Sequence, residues 1–248
     1  SFLGCEIGGL PAGPGRGVAP DHLSFYKAGR GVVMSAIAKL ISIYRKKGYE
    51  PLTGYNPSHF FNFKDAPFTI FHKDNKLHGC FGLALQEVMF LEGFRHYLKP
   101  KSILVIGNAY GWSTLALGLI FPEAKVIAID PNAEGNELTN TLARENKINA
   151  IAIYGKSPQD VSAIAKAQNA EKIDLFLIDA DHNNEAVITD FKACAPLAHS
   201  DSLFFFHDVI NWNMIDGVEH ICQQHQMNGQ ILTRTPSGMA VLWKDTSE

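Results

Sequence analysis

The sequence predicts an α/β fold: a doubly wound, mostly parallel seven-stranded sheet closed by a C-terminal antiparallel hairpin, with an N-terminal helical extension. Three observations carry that prediction. From Ser102 onward, apolar runs of strand length alternate with helical stretches over short connections, the pattern of a parallel sheet covered on both faces. The run Leu203–Phe206 is apolar without alternation, as a strand buried from both sides must be. The chain then ends differently: QILTRT, a turn at Pro236, Ser237 and Gly238, and MAVLWK read as a hairpin.

The elements follow in order. Residues 1–20 are dense in glycine and proline, bury too little apolar surface to hold themselves, and read as a flexible arm. Residues 21–79 read as a helical and aromatic extension. Within it, Val33, Ile37, Leu40, Ile41 and Tyr44 form one helical stripe over His22–Lys47. An irregular aromatic stretch follows, with Phe60, Phe61, Phe63, Phe68 and Phe71 among Pro57 and Pro67. Those rings suit core packing against the sheet, or the wall of a pocket for a flat organic substrate. Residues 80–248 form the main domain, opening on a helix over Phe81–Tyr97 that Pro100 stops. Strands are expected at Ile103–Ile106, Lys125–Ile129, Ala150–Tyr154, Asp174–Ile178 and Leu203–Phe206, with a helix over Met214–Gln224.

Composition excludes several classes. The 248 residues, 46% of them apolar, suffice for one large α/β domain with an extension. A net charge of -3 and a pI near 6.4 argue against nucleic acid as a standing partner, because such binding rests on phosphate neutralisation. No apolar run reaches membrane-span length, and the opening residues show no basic-then-apolar export signal. Cys5, Cys80, Cys194 and Cys222 show no C-x-x-C pairing and read as reduced, buried thiols. The expectation is therefore a cytoplasmic protein without membrane or nucleic-acid partners.

Chemistry concentrates at Ser102–Leu119 and at Lys125–Asp130. A buried strand enters a glycine loop, a helix starts directly after it, and the next strand ends on a carboxylate. That order builds a nucleotide-sized cradle at the carboxyl edge of a parallel sheet. Gly107 and Gly111 permit a sharp turn and let a ligand lie on bare backbone. Trp112 and Ser113 open a helix whose free N–H groups favour an anionic group, and Asp130 can accept hydrogen bonds from both ribose hydroxyls. A dinucleotide asks for G-x-G-x-x-G, so that its pyrophosphate touches backbone at the middle glycine. Here Asn108, Ala109 and Tyr110 separate Gly107 from Gly111, which favours S-adenosylmethionine, a ligand without phosphate. A plain strand–helix turn, with its glycines serving packing alone, is the bland alternative.

Five segments carry a resemblance to a known family. Leu104–Leu117, LVIGNAYGWSTLAL, resembles the cofactor loop of class I S-adenosylmethionine-dependent O-methyltransferases of the catechol and caffeoyl-CoA type. Tyr154–Ile164 (YGKSPQDVSAI), Asp174–Phe191 with its Asp-Ala-Asp core, Phe205–Met214 with its Trp-Asn pair, and the closing TPSGMAVLWK resemble later segments of that family in the same order. The resemblance spans about Cys80–Lys244. It implies a Rossmann-like methyltransferase fold in which Gly107, Tyr110, Gly111 and Ser113 surround the methionine part of the cofactor, Asp130 holds the ribose, and Ser157 meets the adenine edge. In metal-dependent members the first Asp of the Asp-Ala-Asp core and the Asp ending the fifth strand bind a divalent cation, which implies Asp179 and Asp208 here. A hard cation such as Mg²⁺ would lower the pKa of a bound hydroxyl. His182 stands where the family often carries a lysine base, and Asp181 and His207 are further base candidates. Two positions depart from the family. Val105 replaces a donor-anchoring glutamate, and Val209 replaces an Asn or Asp metal ligand.

Singly, each acid and histidine has a structural explanation, such as Asp179, Asp181 or Asn183 capping the helix that follows. Their convergence on one sheet edge beside the cofactor loop favours function for the set. The resemblance thus implies methyl transfer to a hydroxyl of a small molecule, with or without a divalent cation. The arm or extension offers a homodimer contact. Two alternatives come from other classes: a non-catalytic methyltransferase-like binding protein, suggested by Val105 and Val209, and a nicotinamide-dependent oxidoreductase, suggested by Asp130. Nothing resembles the Asn-Pro-Pro-Tyr or Pro-Cys loops of base methylases.

Overall fold

The computed structural model describes residues 35–53, 68–170 and 172–244. The Gly/Pro-rich segment, the first part of the expected helical stripe, and Phe60, Phe61 and Phe63 lie outside the described residues.

The main sheet grows from a fully apolar strand. In β4 (Ser102–Ile106), Ile103 and Val105 face one core and Leu104 and Ile106 the other, so the strand is buried on both sides. The chain continues through α3 (Trp112–Ile120), β5 (Lys125–Asp130), α4 (Ala133–Asn146) and β6 (Ala150–Tyr154). It then crosses back through α5 (Val161–Ala167), β7 (Ile173–Ile178), α6 (Asn184–Cys194) and β8 (Ala198–Phe206). It closes with α7 (Ile215–His225), β9 (Met227–Ile231) and β10 (Ala240–Lys244). The strand order is β6-β5-β4-β7-β8-β10-β9, seven strands, with β10 antiparallel to both β8 and β9. Sequence expectation and structure agree here: a doubly wound sheet closed by a hairpin. The order reverses between β4 and β7, and in open α/β sheets that switch point opens the ligand crevice.

Register fixes what surrounds that crevice. Ile106 of β4 lies level with Ile129 of β5 and Ile178 of β7, and Ile178 with Phe206 of β8. The next residues therefore emerge at one height: Gly107, Asp130, Asp179 and His207. Backbone bonds carry the sheet one step further, Gly107 N to Ile129 O (3.0 Å), Asp179 N to Ile106 O (2.8 Å) and His207 N to Ile178 O (3.1 Å).

Ahead of the sheet, α1 (Ala36–Arg45) starts at Ser35, whose hydroxyl accepts from Ala38 N, and buries Leu40, Ile43 and Tyr44 against α3. A three-stranded antiparallel sheet follows: β1 (Glu50–Leu52), β2 (Phe68–Lys73) and β3 (Lys76–Leu83). This corrects two expectations. Phe68 and Phe71 lie in a regular strand, and the helix expected from Phe81 starts only at α2 (Leu85–Gly93), because β3 runs through Leu83. The overlooked signal is Asp74-Asn75. Both residues hold positive φ (51° and 58°) and close a two-residue hairpin between paired Lys73 and Lys76. The sequence boundary at 79/80 falls inside β3.

The extension supports the glycine loop from behind. Tyr44 is fully buried, stacks on Phe71 at 4.4 Å, and donates its hydroxyl to the Tyr110 carbonyl at 2.7 Å. The first turn of α3 grips the end of β3 in return. Trp112 Nε1 donates to Leu83 O (2.9 Å), and Leu83 N donates to Ser113 Oγ (3.1 Å). No helix among the described residues is long and apolar enough to cross a membrane. Tyr44→Phe should remove the hydrogen bond to the buried Tyr110 carbonyl, costing about 0.5–1.5 kcal/mol. Thermal unfolding should then fall by several degrees, and an unchanged midpoint would contradict this role.

Candidate active site

Two glycines shape the loop after β4. Gly107 (φ 94°) approaches the backbone of Asp179 so closely that a Cβ would overlap the Asp179 carbonyl. Gly111 (φ 85°) caps α3, and a Cβ there would overlap the Thr139 hydroxyl. Asn108 fastens the loop between them, donating to Asn136 Oδ1 (3.0 Å) and Thr139 Oγ1 (2.9 Å) and accepting from Thr114 Oγ1 (2.8 Å).

Asp130 serves the loop before any ligand. Its Oδ2 accepts from Asn108 N and Ala109 N, both at 2.8 Å, and its Oδ1 accepts from Asn132 N at 2.6 Å. A carboxylate offers about four acceptor sites, so about one remains. Asp130 thus has room for about one further donor, where the sequence alone suggests two.

Beside this loop lies a cleft of about 530 Å³, within the size range of small-molecule sites. Gly107, Asp130, Ser157, Asp179, Asp181 and His182 line it, as the sequence places them at one edge. Ser157 Oγ is buried there beside the Asp190 carboxyl. Asp190 of α6, whose pKa burial raises, and Lys156 line the same end. Tyr110, Gly111 and Ser113 do not line it. Tyr110 is buried behind the loop, Gly111 packs on Thr139, and the Ser113 hydroxyl is directed at Leu83 N. The residues expected around the methionine part of a cofactor thus divide, Gly107 in the cleft wall and these three outside it. Asn183 caps α6 by accepting from Ala186 N (2.8 Å), which leaves Asp179 and Asp181 free of that duty.

Deeper in, charged groups converge. His207 Nδ1 lies 2.9 Å from Asp179 Oδ1 and 3.3 Å from Asp208 Oδ2, and its Nε2 lies 2.8 Å from Glu87 Oε2. His182 Nε2 lies 3.1 Å from Asp208 Oδ2 and 3.7 Å from Asp179 Oδ1. That ring nitrogen is buried and held against the carboxylate pair. Asp208 adopts φ 57°, a left-handed conformation that costs a non-glycine residue about 1–3 kcal/mol. Its Oδ1 accepts from Asn211 Nδ2 at 3.0 Å, leaving Oδ2 to the cluster.

Titration follows that geometry. Asp179, then Asp208, raise the His182 pKa to about 9 against a burial that favours the neutral ring. Burial also pulls His207 toward neutrality, and the facing Asp179 and Glu87 carboxylates outweigh it, leaving its pKa well above the ordinary value. Burial would raise Asp208, but the His182 and His207 rings hold it below the usual carboxylate range.

Comparison with known proteins places this arrangement. A profile of the methyltransferase domain matches residues 104–209. The matched stretch spans β4 to the end of β8, and the strand order is that of the class I methyltransferase fold. A solved O-methyltransferase from Bacillus cereus in complex with SAH is similar at 14% identity and a TM-score of 0.59, over 85% of this chain and 91% of that one. An SAH-bound Podospora anserina methyltransferase matches at 15% identity and 0.57, over 86% and 89%. A methyltransferase from Geobacter sulfurreducens matches at 10% and 0.56, over 86% and 90%. Likeness at these identities concerns the fold. No curated protein sequence matches.

Glu87 is the site residue that sequence reasoning missed. It sits in α2 with no exposed surface, accepts from Ala84 N (2.8 Å), Ser237 N (3.1 Å) and the Ser237 hydroxyl, and faces His207. The available signal was an acid inside the apolar run LQEVMFL. For a cation, the donors present in this cluster are carboxylates and imidazoles, and Val209 is buried in the core. That set fits a cation accepting nitrogen ligands better than one demanding oxygen alone. Glu87→Ala should strand the buried His207 ring and cost about 3–5 kcal/mol, read as a lower urea midpoint; an unshifted midpoint would contradict the pairing.

Proposed function

We propose that this methyltransferase moves the methyl group of S-adenosylmethionine to a hydroxyl of a small molecule. The observation that carries the reading is the cleft itself. Bare loop backbone, Asp130 and the buried Ser157 hydroxyl stand at one end, and His182 beside a carboxylate pair at the other.

Each end has its chemistry. The remaining acceptor site of Asp130 takes one ribose hydroxyl, and Ser157 Oγ meets the adenine edge. The Gly107 turn lets the donor lie against main chain. Attack by the acceptor oxygen on the methyl carbon asks the protein for alignment and a deprotonated nucleophile. His182 is the imidazole that lines the cleft, so it is the group placed to take that proton. The adjoining carboxylates favour its protonated form, and the ring becomes an acceptor when their charge is neutralised. Asp179, Asp208 and His207 are the residues that would hold a divalent cation, which when bound favours the ionised form of the acceptor hydroxyl. Trp212, 58% exposed with its ring 5.3 Å from that of His182, supplies an aromatic wall for a flat acceptor.

Calorimetry with S-adenosylhomocysteine tests the donor end. Asp130→Asn should weaken binding about 10- to 100-fold, the worth of one hydrogen bond to a charged group. Unaltered affinity would remove Asp130 from the donor site, and no binding by the unaltered protein would remove the reading. Once an acceptor is in hand, His182→Ala should lower kcat about 10²- to 10⁴-fold with donor affinity retained. A kcat within a factor of three would assign the proton elsewhere.

A further inference from the structure

We propose that two adjoining cavities at the N-terminal edge of the main sheet, joined at Arg95, bind a phosphate monoester that carries an apolar body. The site lies at the opposite edge of the sheet from the cleft and is independent of the methyl-transfer reading.

Topology sets the position. The cleft opens where β4, β5 and β7 end, whereas these cavities open where β4 and β5 begin. The first, about 250 Å³, lies between the approach to β4 and the turn after α3, residues 120–123. The second, about 210 Å³, lies among α1, α3 and the start of β6. Arg95 and Pro122 wall both.

Their linings differ in kind. Leu98, Pro100, Ile120, Phe121 and Pro122 give the first cavity an apolar floor, rimmed by Arg95, Lys99 and Lys101. Lys39, Arg95 and Lys147 converge on the second, which has no acid in its lining among the described residues. Arg95 is half-buried at the junction. Among the described residues, Lys39, Arg95, Lys101 and Lys147 form no ion pair.

The plain explanation for these cations is compensation of helix dipoles, because α2, α3 and α4 all end at this edge. Magnitudes show that it covers only part of them. Each helix C-terminus carries roughly half a negative charge, so the three together ask for fewer than about two cations. Lys39, Arg95, Lys99, Lys101 and Lys147 all line the cavities, against Glu123 as the one acid among the described residues there. Nearby Glu92 is turned to the start of α1, accepting from Ala36 N at 2.7 Å. A surplus of roughly two positive charges remains, on a chain whose net charge is -3.

The linings then name the ligand. The planar guanidinium of Arg95 matches phosphate oxygens two at a time, and Lys39 and Lys147 add charge from the other side. Three cations around one head suit a dianionic phosphate better than a singly charged carboxylate. With the head at Arg95, the body runs over the apolar floor next door. An apolar cavity with a few convergent polar groups is the usual form of a small-molecule site.

The test uses the full chain and octyl phosphate, below its micelle concentration, in calorimetry at fixed ionic strength. The expected result is one site per chain, about tenfold or more tighter than for inorganic phosphate because the body adds apolar burial. Saturating S-adenosylhomocysteine should leave that affinity unchanged. Arg95→Ala should weaken binding about 10- to 100-fold, the worth of hydrogen bonds to a charged group, and Lys147→Glu, at an exposed position, about tenfold. Arg95→Lys should recover only part of the loss. Co-sedimentation with phosphatidylcholine vesicles carrying phosphatidic acid identifies the source. Association that Arg95→Ala abolishes marks a lipid headgroup, and its absence beside octyl phosphate binding marks a soluble ester. No binding, equal affinity for inorganic phosphate, displacement by S-adenosylhomocysteine, or full affinity in both Arg95→Ala and Lys147→Glu would overturn the site.

Discussion

The contact between the buried carboxylate of Glu87 and the imidazole of His207 joins parts of the chain that lie far apart in sequence. Glu87 comes from α2, directly after the extension, His207 from the end of β8, and Ser237, bound to the same carboxylate, from the turn before β10. None of the three can move without opening a buried charge to an apolar surround. Removing one partner of such a pair costs about 3–5 kcal/mol, a large share of the 5–15 kcal/mol that holds a typical domain together. The pair thereby does two things at once. It locks the extension and the closing hairpin onto the sheet edge, and it aims His207 at Asp179 and Asp208.

The neighbouring glycine loop obeys the same economy of groups. Asp130 holds two loop N–H groups and Asn132 N, Asn108 ties the loop to α4, and Tyr44 takes the Tyr110 carbonyl from beneath. The loop is thus preorganised from both sides, and a ligand lying on it need not order it. Preorganisation of this kind favours binding by sparing entropy rather than by adding contacts. It also explains why the extension matters to the site: its Tyr44 and Phe71, packed on Trp112 of α3, are the floor under the loop.

What the sequence revealed depended on the range of the interaction. The apolar strands, the glycine spacing and the acids at strand ends are local patterns, and β4 to β8 bring Gly107, Asp130, Asp179 and His207 to one height as those patterns imply. Asn183 as a helix cap was equally readable. Long-range pairings were not. Nothing local marks Ser113 as a partner of Leu83 rather than of a ligand, or Glu87 as a partner of a histidine 120 residues away. The hairpin at Asp74-Asn75 was local and legible, but the aromatic residues before it drew attention to packing instead.

The central claim is that an adenosine group occupies the cleft between the Gly107 loop and Ser157, with one of its ribose hydroxyls on Asp130. A crystal structure of the protein grown with S-adenosylhomocysteine tests this most directly. The account requires the ribose within hydrogen-bond distance of Asp130 and the adenine beside Ser157. An empty cleft at saturating ligand, or the ligand bound elsewhere on the chain, would contradict it.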